Sequence, residues 1–111
     1  MATERSTVAH IVETLAGGGR PVSARAMFGE YALYCDGKVV GLICDETLFL
    51  KDRPVVRAVV EAPDLGPPYP GAKPHILADA LLNDPETLQA VVRAIADDLP
   101  APKPKKPRQK P

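Results

Sequence analysis

Few side chains in this chain have the chemistry of a metal ligand or a nucleophile. They are two cysteines and two histidines: Cys35, Cys44, His10 and His75. No two of them stand at the short spacing of a Cys-x-x-Cys motif or a His pair, so the sequence does not indicate a zinc site. A Cys–His nucleophile pair would need the fold to bring His75 to one thiol. We therefore predict two free structural thiols, no catalytic residue, no metal and no cofactor.

A glycine run at Gly17–Gly19 has the composition of a phosphate-binding loop. It follows a helical pattern instead of preceding one, however, and it lacks the Gly-Lys-Ser/Thr ending of such loops. We interpret this run as the end of a helix and a flexible link.

Length and composition predict a single small domain. A chain of 111 residues can build one modest core. No apolar run approaches the roughly 20 residues that a membrane span requires. Charges interrupt the first apolar pattern, so the amino terminus does not resemble a secretion signal. We expect a cytoplasmic protein of bacterial type.

The net charge of zero is unevenly distributed along the chain. Residues 1–98 carry nine basic and fourteen acidic side chains, a net charge of −5. The last residues are rich in proline and carry five cations: Lys103, Lys105, Lys106, Arg108 and Lys110. This composition is typical of an extended segment without a core. We predict a folded domain over residues 1–99 and a disordered basic tail over 100–111.

Two helices are predicted from apolar stripes. Val8, Ile11, Val12 and Leu15 follow the spacing of one helical face, which points His10 away from the core. Near the other end, Asp84 is in the position of a helix cap and Pro85 in the first turn. The stripe of that second helix is Leu88, Val91, Val92, Ile95 and Leu99.

Between the helices lies a segment dense in aromatic and branched side chains, Arg25–Lys51. Asp36-Gly37 is a strong hairpin signal, and Asp45-Glu46 is a weaker second turn. A leading strand or bend is expected near Met27. The predicted pairs are Cys35–Lys38, Leu33–Val40 and Tyr31–Leu42, with Phe49 beside Leu42. This register separates the two cysteines by roughly 20 Å, beyond disulfide reach.

The same register predicts a sheet that is apolar on both faces. One predicted face carries Tyr31, Leu33, Val40, Leu42 and Phe49. The other carries Ala32, Tyr34, Val39, Gly41, Ile43, Leu48 and Leu50. We expect helices to cover one face, and a loop or a partner to cover the other.

The remaining elements are shorter. Asp52 is expected to cap a short helix that has Pro54 in its first turn. The segment 63–74 is a loop by composition, and 75–82 fits either a strand or a helical turn. The fold class is therefore α+β: an antiparallel meander of about four to five strands packed against an N-terminal and a C-terminal helix.

The central segment resembles the TfoX N-terminal domain family. The shared features are an Arg-x-Met-Phe-Gly start, an aromatic strand, an Asp-Gly turn, an apolar strand and a closing Leu-x-Leu-Lys strand. The matching residues are Arg25, Met27, Phe28, Gly29, Tyr31, Tyr34, Asp36, Gly37, Lys38, Leu48, Leu50 and Lys51. With the flanking helices and the Pro/Tyr loop, the resemblance covers residues 5 to 99.

The resemblance implies a small α+β domain associated with regulators of natural competence that work alongside the cyclic-AMP receptor protein. It implies no catalytic residue. We therefore expect a non-enzymatic regulatory module that binds a protein partner, or a second copy of itself as a homodimer, through the apolar sheet face or the loop 66–74.

Two alternatives remain open. One is a small-ligand or enzymatic domain whose pocket the sequence does not reveal. The other is a weak, non-specific nucleic-acid binder that acts through the five cations of the tail.

Overall fold

Two helices and one sheet make up the fold in a computed structural model, which describes residues 4–27 and 30–100. The helices and strands, in chain order, are α1 (Arg5–Ala16), β1 (Val22–Met27), β2 (Glu30–Cys35), β3 (Lys38–Cys44), β4 (Thr47–Leu50), β5 (Leu65–Gly66), β6 (His75–Leu77) and α2 (Pro85–Asp98). The strands form one antiparallel sheet in the order β1-β2-β3-β4-β6-β5. The predicted α+β class is confirmed, with six strands where four to five were expected.

The additional strand pairing comes from short segments. The ambiguous stretch 75–82 divides into β6 and the start of a 3₁₀ helix, Asp79–Asn83. β5 has only two residues, which is too short to show an alternating pattern in the sequence. It nevertheless pairs with β6, at Leu65–Ile76 and Gly66–His75, and so forms one edge of the sheet.

Both predicted helices are present and bury most of the predicted stripes. Val12 is half-buried, and Leu99 is the half-buried C-cap residue just beyond α2. In α1, Val8, Ile11 and Leu15 are buried, and the helix ends at the glycine run. In α2, the Asp84 side chain accepts hydrogen bonds from the Thr87 backbone N–H and hydroxyl group. Such a cap satisfies donors that the first helical turn leaves without partners.

The helix predicted after β4 is only a short 3₁₀ helix, Pro54–Ala58. The prediction that Asp52 caps it is wrong: Arg53 is at the cap position, and the helix has no side-chain cap. Asp52 instead pairs with Arg57. A run rich in valine supports a long α-helix poorly, because β-branched side chains lose rotamer freedom there.

The predicted register of the first hairpin is correct only next to its turn. Cys35 pairs with Lys38 as predicted, but Leu33 pairs with Gly41 instead of Val40. Tyr31 then pairs with Ile43 instead of Leu42. The cause is a bulge that gives β3 one extra residue between the two halves of the pairing, so the register shifts by one beyond it.

Gly41 lies at a point where the backbones of β3 and β4 approach each other closely. A Cβ atom at Gly41 would lie 2.2 Å from the Phe49 carbonyl oxygen and 3.0 Å from the Leu50 Cα. Only glycine permits this close approach of the β4 backbone. The predicted pairing of Leu42 with Phe49 across the second turn is confirmed.

The bulge redistributes the side chains between the two faces. We call the face that packs on the helices the first face; its side chains are Tyr31, Leu33, Cys35, Val40, Ile43, Leu48 and Leu50. The opposite, second face carries Arg25, Met27, Glu30, Ala32, Tyr34, Leu42, Cys44 and Phe49. The predicted face assignment is therefore wrong beyond the bulge. Leu42 and Phe49 lie on the face of Ala32 and not on that of Leu33. Conversely, the residues predicted to share the face of Ala32 but found on that of Leu33 are Gly41, Ile43, Leu48 and Leu50.

A single core lies between the first face and the two helices. Ile43, Leu48, Leu50, Leu88 and Ile95 are fully buried in it. No helix within the described ranges is long and apolar enough to cross a membrane.

Candidate functional site: a cavity on the second face of the sheet

A cavity of about 610 Å³ opens on the second face. Its volume falls in the range of about 300 to 1,000 Å³ that is usual for ligand pockets. The described residues that line it are Met27, Glu30, Tyr31, Leu42, Cys44, Asp45, Pro68, Tyr69 and Pro70. Most of these wall residues are apolar. The two carboxylate side chains, Glu30 and Asp45, come from β2 and the β3–β4 turn.

The loop that forms one wall is held in place by backbone contacts. The Leu77 N–H donates to the Asp64 carbonyl at 2.8 Å, which fixes the chain just before β5. Beyond β5, the Ala72 N–H donates to the Tyr69 carbonyl at 3.0 Å, and Gly71 takes a positive φ of 87° in the same turn. Pro68 is thereby buried, while Tyr69 remains 56% exposed.

The turn at Asp45-Glu46 forms the acidic end of the cavity. Both residues have positive φ angles, 51° and 63°, as a two-residue type I′ hairpin turn requires. The Asp45 N–H donates to the Glu30 carboxylate at 3.2 Å. No described residue donates a hydrogen bond to the Asp45 carboxylate, which is exposed at the cavity.

Glu46 ties this turn to the start of α1. Its carboxylate accepts hydrogen bonds from the Thr7 hydroxyl and from the Glu4 backbone N–H. These two bonds lower the pKa of Glu46, the Thr7 bond more than the other. α1 has no side-chain cap from its own N-cap residue, so a residue distant in sequence supplies the anion that favours a helix N-terminus.

The thiol on the cavity wall is not activated. Burial raises the pKa of Cys44, and the nearby Glu30 and Asp45 carboxylates raise it further. Because the thiolate is the nucleophilic form, a raised pKa opposes nucleophilic catalysis at neutral pH.

The two cysteines lie on opposite faces of the sheet, and both are free and buried. Cys35 packs in the core beside the turn at Asp36-Gly37, whereas Cys44 lines the cavity at the far end of β3. His10 is exposed on α1, and the His75 ring contacts the Lys73 carbonyl at 2.9 Å. In the part of the chain that the structure describes, no three His, Cys, Asp or Glu side chains come together as metal ligands.

Several residues of the family motif join the opposite end of the sheet to the C-terminal end of α2. Asp36 and Gly37 form the tight turn at positive φ, and Asp36 pairs with Arg20 at 3.1 Å. Arg20 also binds Asp97 on α2 with two hydrogen bonds, of 2.7 and 3.2 Å, and the bond lowers the pKa of Asp97. The Lys38 ammonium donates to the Ala96 and Leu99 carbonyls at 2.6 and 3.2 Å. A cation there satisfies the carbonyls of a helix C-terminus.

The other motif residues divide between core and surface. Leu48 and Leu50 are core residues. The Arg25 guanidinium lies 5.9 Å from the centre of the Tyr34 ring, a cation–π contact on the second face. Met27 borders the cavity, and so does Tyr31, although the Tyr31 side chain packs against the core on the first face.

Some predicted residues lie outside the described ranges. They are Phe28 and Gly29 of the family motif, and the tail cations Lys103, Lys105, Lys106, Arg108 and Lys110.

Sequence reasoning did not identify the cavity as a site. Glu30, Asp45 and Pro68 belong to three segments that become neighbours only in the folded sheet. One local signal was available: the Pro-Pro-Tyr-Pro run at 67–70 is unusually apolar for a loop. It indicates a segment that packs on something, but it does not say where.

Comparison with known proteins agrees with this architecture. Residues 13–98 match the profile of the TfoX N-terminal domain. A protein of Spirochaeta aurantia, named "Uncharacterized 12.7 kDa protein in trpE 5'region", is 44% identical over 110 residues, which cover 99% of this chain and 95% of that protein. The chain therefore belongs to the TfoX N-terminal domain family. This family is linked to competence regulation and is not known as a family of enzymes.

Proposed function

We propose that this chain is a non-catalytic regulatory module that acts by binding another protein through the second face of its sheet. The observation that carries this proposal is the exposure of Met27 and Tyr69, which are 41% and 56% exposed and border the same cavity. Two large apolar side chains at the mouth of an apolar cavity are typical of a surface that a partner covers. The family's link to competence regulation is consistent with such a role.

Charge favours a different protein over a second copy as the partner. Residues 1–98 carry a net charge of −5, and the cavity mouth includes Glu30 and Asp45. A two-fold contact centred on this mouth would bring like charges together, which opposes association. We therefore propose a partner whose contact surface is apolar at its centre and positively charged around it.

If this chain binds nucleic acid, we propose that it does so through the tail. The acidic body opposes contact with a phosphate backbone, and the five tail cations attract one without reading its sequence. We propose this only as a weak accessory contact, and we place the module in the cytoplasm.

The partner proposal is tested by capture with matched variants. The full chain, Tyr69→Asp, Met27→Asp and Leu65→Asp are each used to capture proteins from a lysate of the native cells. Leu65 is 43% exposed, close to Met27, but it lies on β5 at the sheet edge and does not line the cavity. We expect one partner to be retained by the full chain and by Leu65→Asp, and to be lost from the other two variants.

Retention of the same partner by Tyr69→Asp and Met27→Asp would contradict the proposed contact. Sedimentation of the same four proteins tests the self-association version. A dimer that forms at high concentration, and that Tyr69→Asp and Met27→Asp abolish but Leu65→Asp does not, would mean that the partner is a second copy of this chain.

A further inference from the structure

We infer that the cavity on the second face is a binding site for a small organic cation, a molecule with an apolar body and one ammonium or guanidinium group. This inference goes beyond the proposed protein contact and does not depend on it. It rests on the size of the cavity, the chemistry of its walls and the fixed backbone of the turn that carries one carboxylate.

The walls select an apolar body. Met27, Leu42, Pro68 and Tyr69 supply aliphatic, proline and aromatic surface on several sides of the cavity. Burying an apolar group against such surface is favourable in proportion to the apolar area removed from water. A cavity of about 610 Å³ is large enough for an aromatic ring with a short alkyl chain.

The charges select a cation. Glu30 and Asp45 are at one end, and no Lys, Arg or His occurs among the described residues that line the cavity. Burial, and then these two carboxylates, raise the pKa of Cys44, which lines the same cavity. An anionic ligand would be repelled there, and a neutral one would gain nothing from the charges.

Asp45 is the carboxylate that we expect to contact the cation. The backbone that carries it is set by the type I′ turn and by the Asp45 N–H bond to Glu30, and the neighbouring Glu46 binds the same turn to α1. Because this backbone is already ordered, a ligand restricts only the short side chain of Asp45 when it binds. The Asp45 carboxylate has no hydrogen-bond donor among the described residues, so a ligand would not need to displace one.

The test uses three probes of nearly equal size that differ in charge: 4-phenylbutylammonium, 4-phenylbutanol and 4-phenylbutyrate. Each is titrated into the full chain at neutral pH, and binding is followed by NMR shifts at the Met27 methyl group and the Tyr69 ring. We expect the ammonium to bind on the order of fivefold more tightly than the alcohol, as for a partly exposed ion pair. The carboxylate should bind more weakly than the alcohol.

Matched variants assign the effect to Asp45. Asn tolerates positive φ as Asp does, so Asp45→Asn removes the charge while keeping the turn. In this variant the ammonium should bind no more tightly than the alcohol, whose affinity should not change. Glu61→Gln, an exposed acid that does not line the cavity, is the control and should leave all affinities unchanged. Tyr69→Ala should weaken the binding of the ammonium and the alcohol alike.

Three results would overturn the inference: equal affinities for ammonium and alcohol, tighter binding of the carboxylate, or no binding of any probe up to its solubility limit. Shifts confined to residues outside the cavity would also overturn it. No partner protein is present in this experiment, so its failure would leave the protein-contact proposal standing. Conversely, a failure to capture a partner protein would not contradict the cation site.

Discussion

The two faces of the sheet are both apolar, but they are covered in different ways. On the first face, Ile43, Leu48 and Leu50 are fully buried under two helices. On the second face, a short proline-rich loop covers only part of the surface and leaves a cavity beside Leu42 and Cys44. Apolar composition alone therefore does not distinguish a core from a binding surface. A core differs from a binding surface in whether the rest of the chain covers the apolar side chains completely.

The largest expected effect compares neighbouring residues of β3 that point to opposite faces. Ile43→Ala should lower the free energy of unfolding by about 2–5 kcal/mol, because it leaves a hole in a closed core. Leu42→Ala enlarges a cavity that is already open, and it should cost about 1 kcal/mol. Urea denaturation measures both. Equal losses for the two variants would mean that the second face is packed as tightly as the first.

A second prediction concerns the glycine at the bulge that sorts side chains onto the two faces. Gly41→Ala should destabilise the fold by roughly 2 kcal/mol or more, because the added methyl group meets the backbone of β4. In the matched variant Gly66→Ala, the new methyl group meets only the flexible end of Leu77, at 3.3 Å. Its cost should stay below about 1 kcal/mol. A neutral Gly41→Ala would show that the strands do not approach as described.

A third prediction concerns the closed end of the first face. Lys38→Met removes the ammonium that binds two carbonyls at the end of α2, and it should cost about 1–2 kcal/mol. Lys51→Met is the control, since the Lys51 side chain makes no hydrogen bond among the described residues and lies at the end of β4. Thermal unfolding of both variants checks the difference. A Lys38→Met protein as stable as Lys51→Met would show that the bonds from Lys38 to the end of α2 do not stabilise the fold.

The smallest expected effect is the pH dependence contributed by Glu46. Its pKa in the folded chain is below the ordinary value of 4.5, so folding favours its carboxylate form. Its stabilising contribution is fully present above that value and is lost as the pH falls through the lowered folded value. Unfolding free energies measured from neutral to acidic pH should show a smaller acid-induced loss in Glu46→Gln than in the unmodified chain.

Thr7→Val provides the matching test of the same interaction. It removes the hydroxyl donor, and it should reduce the acid-induced loss over the same pH range. The two substitutions should not be additive, because they break one interaction. An acid response unchanged in both variants would contradict the described contact between the β3–β4 turn and α1.

The sequence predicts best those features that depend on nearby residues. The stripes of α1 and α2, the Asp84 cap and the Asp36-Gly37 turn are each encoded within a few positions, and all are present. The faces of the sheet are harder to predict, because one inserted residue reverses every side chain beyond it. Gly41 was the available signal, since an isolated glycine within a strand often marks a bulge. A register extended from a regular two-residue turn makes no allowance for such a bulge.

The cavity could not be predicted for a different reason. Asp45 and Tyr69 are 24 positions apart in the chain, and only the order of the strands brings them to one site. Pattern analysis identifies the loop 66–74 as a possible contact surface, but it does not show that Pro68 and Pro70 form a cavity wall with the β3–β4 turn. The apolar character of the second face was predicted correctly as a property of the sheet, although the residues assigned to that face were partly wrong.

The two free cysteines allow the most direct test of the difference between the faces, because each face has one of them. Cys44 is 6% exposed and lines the cavity, whereas Cys35 is 1% exposed and packs in the core. The full chain is treated with N-ethylmaleimide, a small uncharged reagent, at several low urea concentrations, and mass spectrometry of its peptides follows each thiol. We predict that Cys44 reacts from the native state at a rate nearly independent of urea, while Cys35 reacts only as fast as the whole chain unfolds. If both thiols react at the rate of global unfolding, the second face is closed and the central claim is wrong.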